Sequence, residues 1–594
     1  MMRLPSFLSA AALGAAIASC DAEAPGPESP ESTSAEAGPT LRFVDVTEDS
    51  GLASFRQANG RLDKPTIVES AGGGVALFDL EGDGDLDVYL TNAGRRVDPS
   101  ALQEERDALF VNDGSGSFTD ATEAHGLGDR RWTTGVEVAD VDGDGRLDLF
   151  LTAWGRNSLL LQREGGAFED VTEGAGLADD RWSTGACFLD VDRDGDLDLY
   201  VANHIDLDLQ ALLEEDGTYR RETWFDQSVY FGPSGLDGAM DRFYVNRGDG
   251  TFEEATAAFG VDAHALYSYE AVAFDADGDG WTDVYVANDT RPNLLWRNVE
   301  GRSFEELGVR SGAALSANGG PQAGMGVAVG DANGDGLPDL YVTNFSEDYF
   351  TLYENRGEGR FDDATPRSRM IAATRPYLGW STGFADLDLD GHVDLWCVNG
   401  HVFPQADDVG RGMGYAQSNQ AFLGDGTGRF QLAQDLGGGL DVRAASRGGA
   451  AGDIDGDGDV DLVIGNIDGP PTVLRNDTVP GPGERCVVLR LEGSPPNTSA
   501  HGARVSGTVR TASGDTLATR FVGTGAGFLS CEGPTVPFGI GSGDALEETE
   551  VRWPDGRVES LGRIEGGSYV VVRQGEGIVT TRPLAGPDGG GGAR

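Results

Sequence analysis

Positive charge is scarce in this chain: 44 Lys and Arg side chains face 99 Asp and Glu, a formal net charge of −55 over 594 residues. That balance argues against nucleic-acid binding, because phosphate contacts need clustered Lys and Arg. It argues equally against a basic patch lying on anionic lipid. Histidine and cysteine are also few, at 6 and 5 residues, and the histidines are scattered, so no zinc-type cluster forms in sequence. No G-x-S-x-G elbow or nucleotide-binding glycine loop occurs. Apolar runs are short. The longest, Leu4 to Ala18, falls below the ~20 residues of a membrane-spanning helix.

Glycine and acid are what the chain has in excess. The 90 glycines show no G-X-Y period, so they point to tight turns rather than collagen. One nine-residue pattern, D-x-D-x-D-G-x-x-D, recurs seven times. Its candidate metal ligands are Asp79, Glu81, Asp83 and Asp87; Asp140, Asp142, Asp144 and Asp148; Asp190, Asp192, Asp194 and Asp198; and Asp275, Asp277, Asp279 and Asp283. The last three copies offer Asp331, Asn333, Asp335 and Asp339; Asp386, Asp388, Asp390 and Asp394; and Asp453, Asp455, Asp457 and Asp461. Oxygens at positions 1, 3, 5 and 9 converge on one hard cation, and glycine at position 6 permits the sharp turn. Ligation by oxygen alone selects Ca²⁺ over zinc or copper. Up to seven Ca²⁺ ions are expected, in a structural role. An EF-hand would place Glu at position 12 between helices, but here that position is Leu90, Leu151, Val201, Val286, Val342, Cys397 and Ile464. These sit in β-rich runs, so each loop joins two strands.

A second signature alternates with the first. F-x-[D/E] strands start at Phe43, Phe118, Phe168, Phe252, Phe304 and Phe361, with a weaker copy at Phe430. Most follow a hairpin turn such as Asn112-Asp113-Gly114 or Asn355-Arg356-Gly357. A four-stranded propeller blade takes ~40–50 residues, so each repeat reads as one blade plus a variable loop. The Phe43 strand precedes the first acidic loop and none follows the last, so it is expected to complete the blade built on Asp453 and leave no free sheet edge. The expected architecture is all-β, a seven-bladed propeller over residues 41–480. A small all-β domain over 484–575 follows, with its Trp553-Pro554-Asp555-Gly556 turn, and then a flexible tail over 576–594.

The repeats resemble the FG-GAP/VCBS repeats of integrin-type propellers. Residues 325–344, 378–404 and 230–256, the last with an FGPSGLDG turn, are similar to bacterial relatives of the cartilage acidic protein 1 family. The C-terminal segment resembles an ASPIC/UnbV domain at Gly502-Ala503-Arg504-Val505, Gly525 to Ser530, Phe538-Gly539-Ile540-Gly541 and Val551 to Gly556. The resemblance implies secreted or surface proteins, Ca²⁺ binding and, in animal relatives, matrix association; it implies no settled activity for bacterial members. Where that family often has Cys before Gly-Pro, this chain has Phe231. At the N-terminus, Ile17-Ala18-Ser19-Cys20 resembles the lipobox of bacterial lipoproteins. Residues 1–19 are thus expected to be a signal peptide, Cys20 lipidated, and 20–40 a flexible tether rich in Pro, Ser, Glu and Ala. The protein is expected to be exported and lipid-anchored in the bacterial cell envelope.

Loops after the second strand of each blade emerge opposite the metal loops, and the long insertions are there: Ala93–Ala108, His204–Met240 and Gly400–Gln420. Ligand-face candidates are His204, His401, Asn399 and Trp154, with Trp132, Trp182, Tyr267 and Trp380 lining the mouth. His204 and His401 are the best acid–base candidates, set against plain turn histidines. Asn92, Asn203, Asn288, Asn344, Asn399 and Asn466 end second strands and read first as turn caps. Arg247-Gly248-Asp249 is a hairpin turn. Cys486 and Cys531 are candidates to pair, whereas Cys187 and Cys397 read as buried thiols. No catalytic residue is assigned. The sequence favours a surface binding or adhesion module for protein or polysaccharide, with a Ca²⁺-dependent polysaccharide lyase or hydrolase as the alternative.

Overall fold

The structure, a computed structural model, describes residues 40–479, 485–511, 514–523 and 527–584. Cys20, the expected signal peptide and residues 585–594 lie outside them. The protein is all-β, and no described helix exceeds one turn.

The acidic pattern sets the strand breaks. Its position-9 Asp opens the second strand of every repeat: Asp87, Asp148, Asp198, Asp283, Asp339, Asp394 and Asp461. Each of these carboxylates clasps two backbone amides at 2.7–3.0 Å, one from position 2 of its own loop and one from the third strand. The result is seven antiparallel four-stranded sheets, whose first strands are Val75–Phe78, Thr133–Ala139, Ser183–Leu189, Ser268–Phe274, Gly324–Gly330, Gly379–Ala385 and Ser446–Gly452. The seventh is completed from the other end of the chain, Phe43 pairing with Asn476. Both faces of each sheet are apolar, and one buried cluster lies between each successive pair, including the seventh and first.

Hydrogen bonds also stitch each sheet to its predecessor. The amides of Asn112, Gln162, Asn246, Asn298, Asn355 and Asn476, on third strands, donate to the position-2 carbonyls of Ile454, Leu80, Val141, Val191, Ala276 and Leu387. In the sixth sheet the Gly428 amide reaches Ala332 instead. The series runs from sheet to sheet, and the first sheet donates to the seventh.

Residues after Cys486 build two further four-stranded sheets around their own core of Val487, Leu489, Val505, Phe538, Val551 and Trp553. They lie over the acidic loops: Arg490 pairs with Asp79 at 2.7 Å, and Thr498 donates to Asp140. From them residues 527–532 enter the centre of the repeat sheets. Gly527 bridges Val327 of the fifth sheet, Phe528 N bonds Ser381 of the sixth, and Leu529 N bonds Glu270 of the fourth at 2.6 Å. Leu529 O accepts from Val136 of the second, Ser530 Oγ accepts from Val75 of the first and Gly449 of the seventh, and Cys531–Glu532 adds a parallel strand to the first. The passage is so close that a Cβ on Gly74 would lie 1.7 Å from the Leu529 carbonyl.

Two expectations need correcting. Residues 576–584 are not a tail: Gly577–Pro583 pairs with Ser568–Arg573. The strand is mostly exposed and lacks a buried apolar alternation, so its sequence carries no strand signal. Cys486 and Cys531 form no disulfide, because Cys531 is drawn into the centre beside Ala76 while Cys486 opens its own sheet next to Gly458.

Candidate metal loops and ligand face

Each acidic loop turns on its position-6 glycine, where φ is +80° to +100° in all seven copies (Gly84, Gly145, Gly195, Gly280, Gly336, Gly391 and Gly458). In six copies the position-1 Asp accepts the glycine's amide, which points its carboxylate into the turn. Among the described residues, five loops bring three carboxylate oxygens within 4.8 Å of one another: Asp140/Asp142/Asp148, Asp190/Asp192/Asp194, Asp275/Asp277/Asp279, Asp386/Asp388/Asp394 and Asp453/Asp455/Asp461. The first and fifth loops are not among them. In the first, the Arg490 guanidinium already occupies Asp79; in the fifth, the neutral Asn333 replaces a carboxylate.

The donor set fits a hard divalent cation. Burial pushes the carboxyls of Asp148 up to about 8 and of Asp190 to about 6, and that of Asp386 to about 8 against the pull of Arg520, the response of acids taken out of water. A position the pattern omits adds to this: Asp459, at position 7 of the last loop, is 1% exposed and neither carboxylate oxygen has a hydrogen-bond partner among the described residues. Its signal was the extra acid at position 7 of the first, third and seventh copies, Asp85, Asp196 and Asp459.

At the other ends of the second strands the asparagines are caps. The amides of Asn92, Asn203, Asn288, Asn344, Asn399 and Asn466 donate to loop carbonyls such as Arg56, Met240, Pro292, Tyr349, Ser418 and Pro470. Of Trp132, Trp154, Trp182, Tyr267 and Trp380, Trp380 borders the cavity described below and Trp154 and Trp182 a separate hollow. All five join one buried cluster with Val229, Tyr230, Val402 and Phe403 of the insertions above and Phe528 and Leu529 below. His204 is part of that packing, fully buried, stacked at 4.0 Å on Tyr269, with no hydrogen-bond partner on either ring nitrogen. His401 is equally buried; its Nδ1 accepts from Phe403 N at 3.1 Å, so Nε2 carries the proton toward Ser346. Burial pushes both imidazoles down to about 3. Trp154 lines a separate hollow with Asp179 and Trp182.

Besides that hollow, the insertions leave a cavity of about 390 Å³ on this face, roofed by Trp224, Tyr230, Val402 and Phe403 and floored by Tyr269, Met325 and Trp380. Asp289 and Asp348, one and four residues beyond the capping Asn288 and Asn344, point acid into it.

The fold is therefore that of a propeller-like, all-β protein with repeated acidic loops. A model of the FG-GAP-like repeat matches residues 79–151, 140–201, 229–286, 275–342 and 331–397, and one described as ASPIC and UnbV matches 493–579. The chain belongs with the FG-GAP-repeat proteins that carry a C-terminal ASPIC/UnbV domain, and it is distantly homologous to cartilage acidic protein 1. It is 27% identical to that protein of Homo sapiens over 287 residues, 47% of this chain and 40% of the relative, and 27% identical to that of Xenopus tropicalis over 296 residues, 48% and 41%. The chain thus spans about two-fifths of the length of the curated relatives it matches. A solved Agrocybe aegerita lectin that recognises non-reducing terminal N-acetylglucosamine aligns with a TM-score of 0.37 at 14% identity, over 69% of this chain and 91% of the lectin.

Proposed function

We propose that the seven sheets are the blades of one closed propeller held rigid by Ca²⁺, and that the protein is an exported, lipid-anchored surface module that binds protein or polysaccharide on the face opposite the acidic loops. The stitch from Asn112 back to Ile454 supports closure. The five carboxylate groups support Ca²⁺, and the apolar stretch Leu4 to Ala18 followed by Cys20 supports export and anchoring. No nucleic-acid partner is proposed, given the acidic balance.

The observation that carries the binding role is the division of labour between faces. The ASPIC/UnbV region covers the acidic loops, so the three insertions, with their cavity, are what remains to meet a partner. A buried imidazole held near 3 is neutral and enclosed at pH 7, which removes His204 and His401 from acid–base work and favours binding over lyase or hydrolase chemistry. The test is soluble protein beginning after Cys20, incubated in Ca²⁺ with immobilised polysaccharides and matrix proteins, reading retained protein and released oligosaccharide. Retention without release is expected; release of product would make the protein an enzyme.

A further inference from the structure

Asp289 is the unusual acid of the molecule's open face. It is nine-tenths buried, lines the 390 Å³ cavity, and its carboxylate has no hydrogen-bond partner among the described residues. With its oxygens open to the cavity rather than sealed in the core, that carboxylate is a place where a ligand's donor can replace water. Asp348 stands across the same cavity and carries only one long bond, from Ala323 N at 3.4 Å. Burial first, then Asp348, pushes the Asp289 carboxyl up to about 7, against the pull of Arg291; a positive charge inside the cavity would hold it ionised.

Among the described residues no Lys or Arg lines the cavity to supply that charge. Arg291, the cation that acts on Asp289, lies 4.8 Å over the Tyr267 ring and donates to its hydroxyl. The buried Arg447 lies 4.2 Å from the Trp380 ring, with its donors turned to the carbonyls of Ser70, Gly400, Ser446 and His401. The cavity walls are aromatic. Trp224 is wedged between His401, 4.7 Å away, and Phe403, 5.3 Å away, and Tyr269 meets Trp380 at 6.0 Å. Aromatic faces around a carboxylate are the setting in which a cation is stabilised and an apolar body stacked.

We propose that this cavity is a binding site for a protonated primary amine carried on a small ring or chain, with Asp289 as the principal anchor and Asp348 as the second. The amine's N–H groups satisfy Asp289, and its body stacks on Trp224 and Tyr269. A quaternary ammonium, which has no N–H, is a poorer ligand. The proposal rests on the binding-face reading above and gives that face its ligand chemistry.

Wild type, Asp289→Asn and Asp348→Asn are titrated with glucosamine, 1,5-diaminopentane and the neutral N-acetylglucosamine, following tryptophan fluorescence and calorimetric heat. Wild type is expected to bind at least one amine at least tenfold more tightly than N-acetylglucosamine. Asp289→Asn should lose tenfold or more, and Asp348→Asn less. Preference for glucosamine identifies a carbohydrate source, and preference for the diamine a lysine-like one. Absence of amine binding at 20 mM, equal binding of N-acetylglucosamine, or an unchanged affinity in Asp289→Asn overturns the proposal. If a panel macromolecule is still retained by Asp289→Asn at wild-type level, the amine site falls while the binding-face reading stands.

Discussion

Phe528→Ala tests whether the ASPIC/UnbV region is built into the repeat sheets or merely rests on them. Phe528 is fully buried, with its ring 4.6 Å from Trp380 and 5.5 Å from Tyr269, both on first strands or just beside them. Truncating a Phe so enclosed removes its transfer free energy and leaves a cavity, a loss of about 3–5 kcal/mol. A unit of several hundred residues has an unfolding entropy near 1 kcal/mol per degree, so the melting temperature should fall by roughly 3–5 °C. Scanning calorimetry in Ca²⁺ measures it, with Leu436→Ala as a control at an exposed site, expected to change stability by less than about 0.5 kcal/mol. Because Trp380 and Tyr269 also floor the cavity, the variant should in addition alter tryptophan emission. If Phe528→Ala melts within half a degree of wild type, residues 527–532 are not seated in the centre, and the account of how the two regions join is wrong.

Two further outcomes follow from the buried polar groups. Glu270 is 1% exposed and accepts the Leu529 and Ala271 amides, and burial raises its carboxyl to about 8. A carboxyl raised in the folded state favours the fold while it is protonated; that contribution is intact below about 4.5 and is lost as pH rises through 8. Glu270→Gln should therefore flatten the fall in stability between pH 5 and 8, and be more stable than wild type at pH 8 by up to a few kcal/mol in chemical denaturation; an unchanged pH profile would refute this. Asn298→Ala removes donors to the buried Val191 O and the half-buried Thr282 O, and should cost about 1–3 kcal/mol in urea unfolding, against no measurable loss if the inter-sheet stitch is incidental.

The repeat scaffold was legible because it is local. D-x-D-x-D-G-x-x-D fixes a loop and the strand after it, F-x-[D/E] fixes an outer strand, and counting the two signatures placed Phe43 against the seventh repeat, where it pairs with Asn476. The inter-sheet stitch was visible only as an Asn opening hairpin turns at Asn112, Asn246, Asn298 and Asn355, and ending the third strand at Asn476, which local reading assigns to the turn alone. Contacts made by single residues hundreds of positions apart carried no signal. Arg490 cannot be matched to Asp79 from sequence, so the first loop read like its neighbours; Phe528 gave no sign that it would fill the centre. The histidines misled for a related reason. Their place on the loops was right, but the insertions fold over them, and a loop histidine inside such packing is an apolar wall. The cavity acids Asp289 and Asp348 follow capping asparagines and look like ordinary loop polarity until burial is known.

Calcium dependence of the melting temperature tests the central claim most directly. Extracellular Ca²⁺ sites of Kd about 10⁻⁴–10⁻³ M contribute roughly 0.4–1.4 kcal/mol each at 1 mM Ca²⁺. Five such loops give about 2–7 kcal/mol, hence a melting temperature some 2–7 °C lower in chelator than in 1 mM Ca²⁺. A melt that is the same in chelator and in Ca²⁺ would contradict the account, leaving the acidic loops as turns that hold no ion.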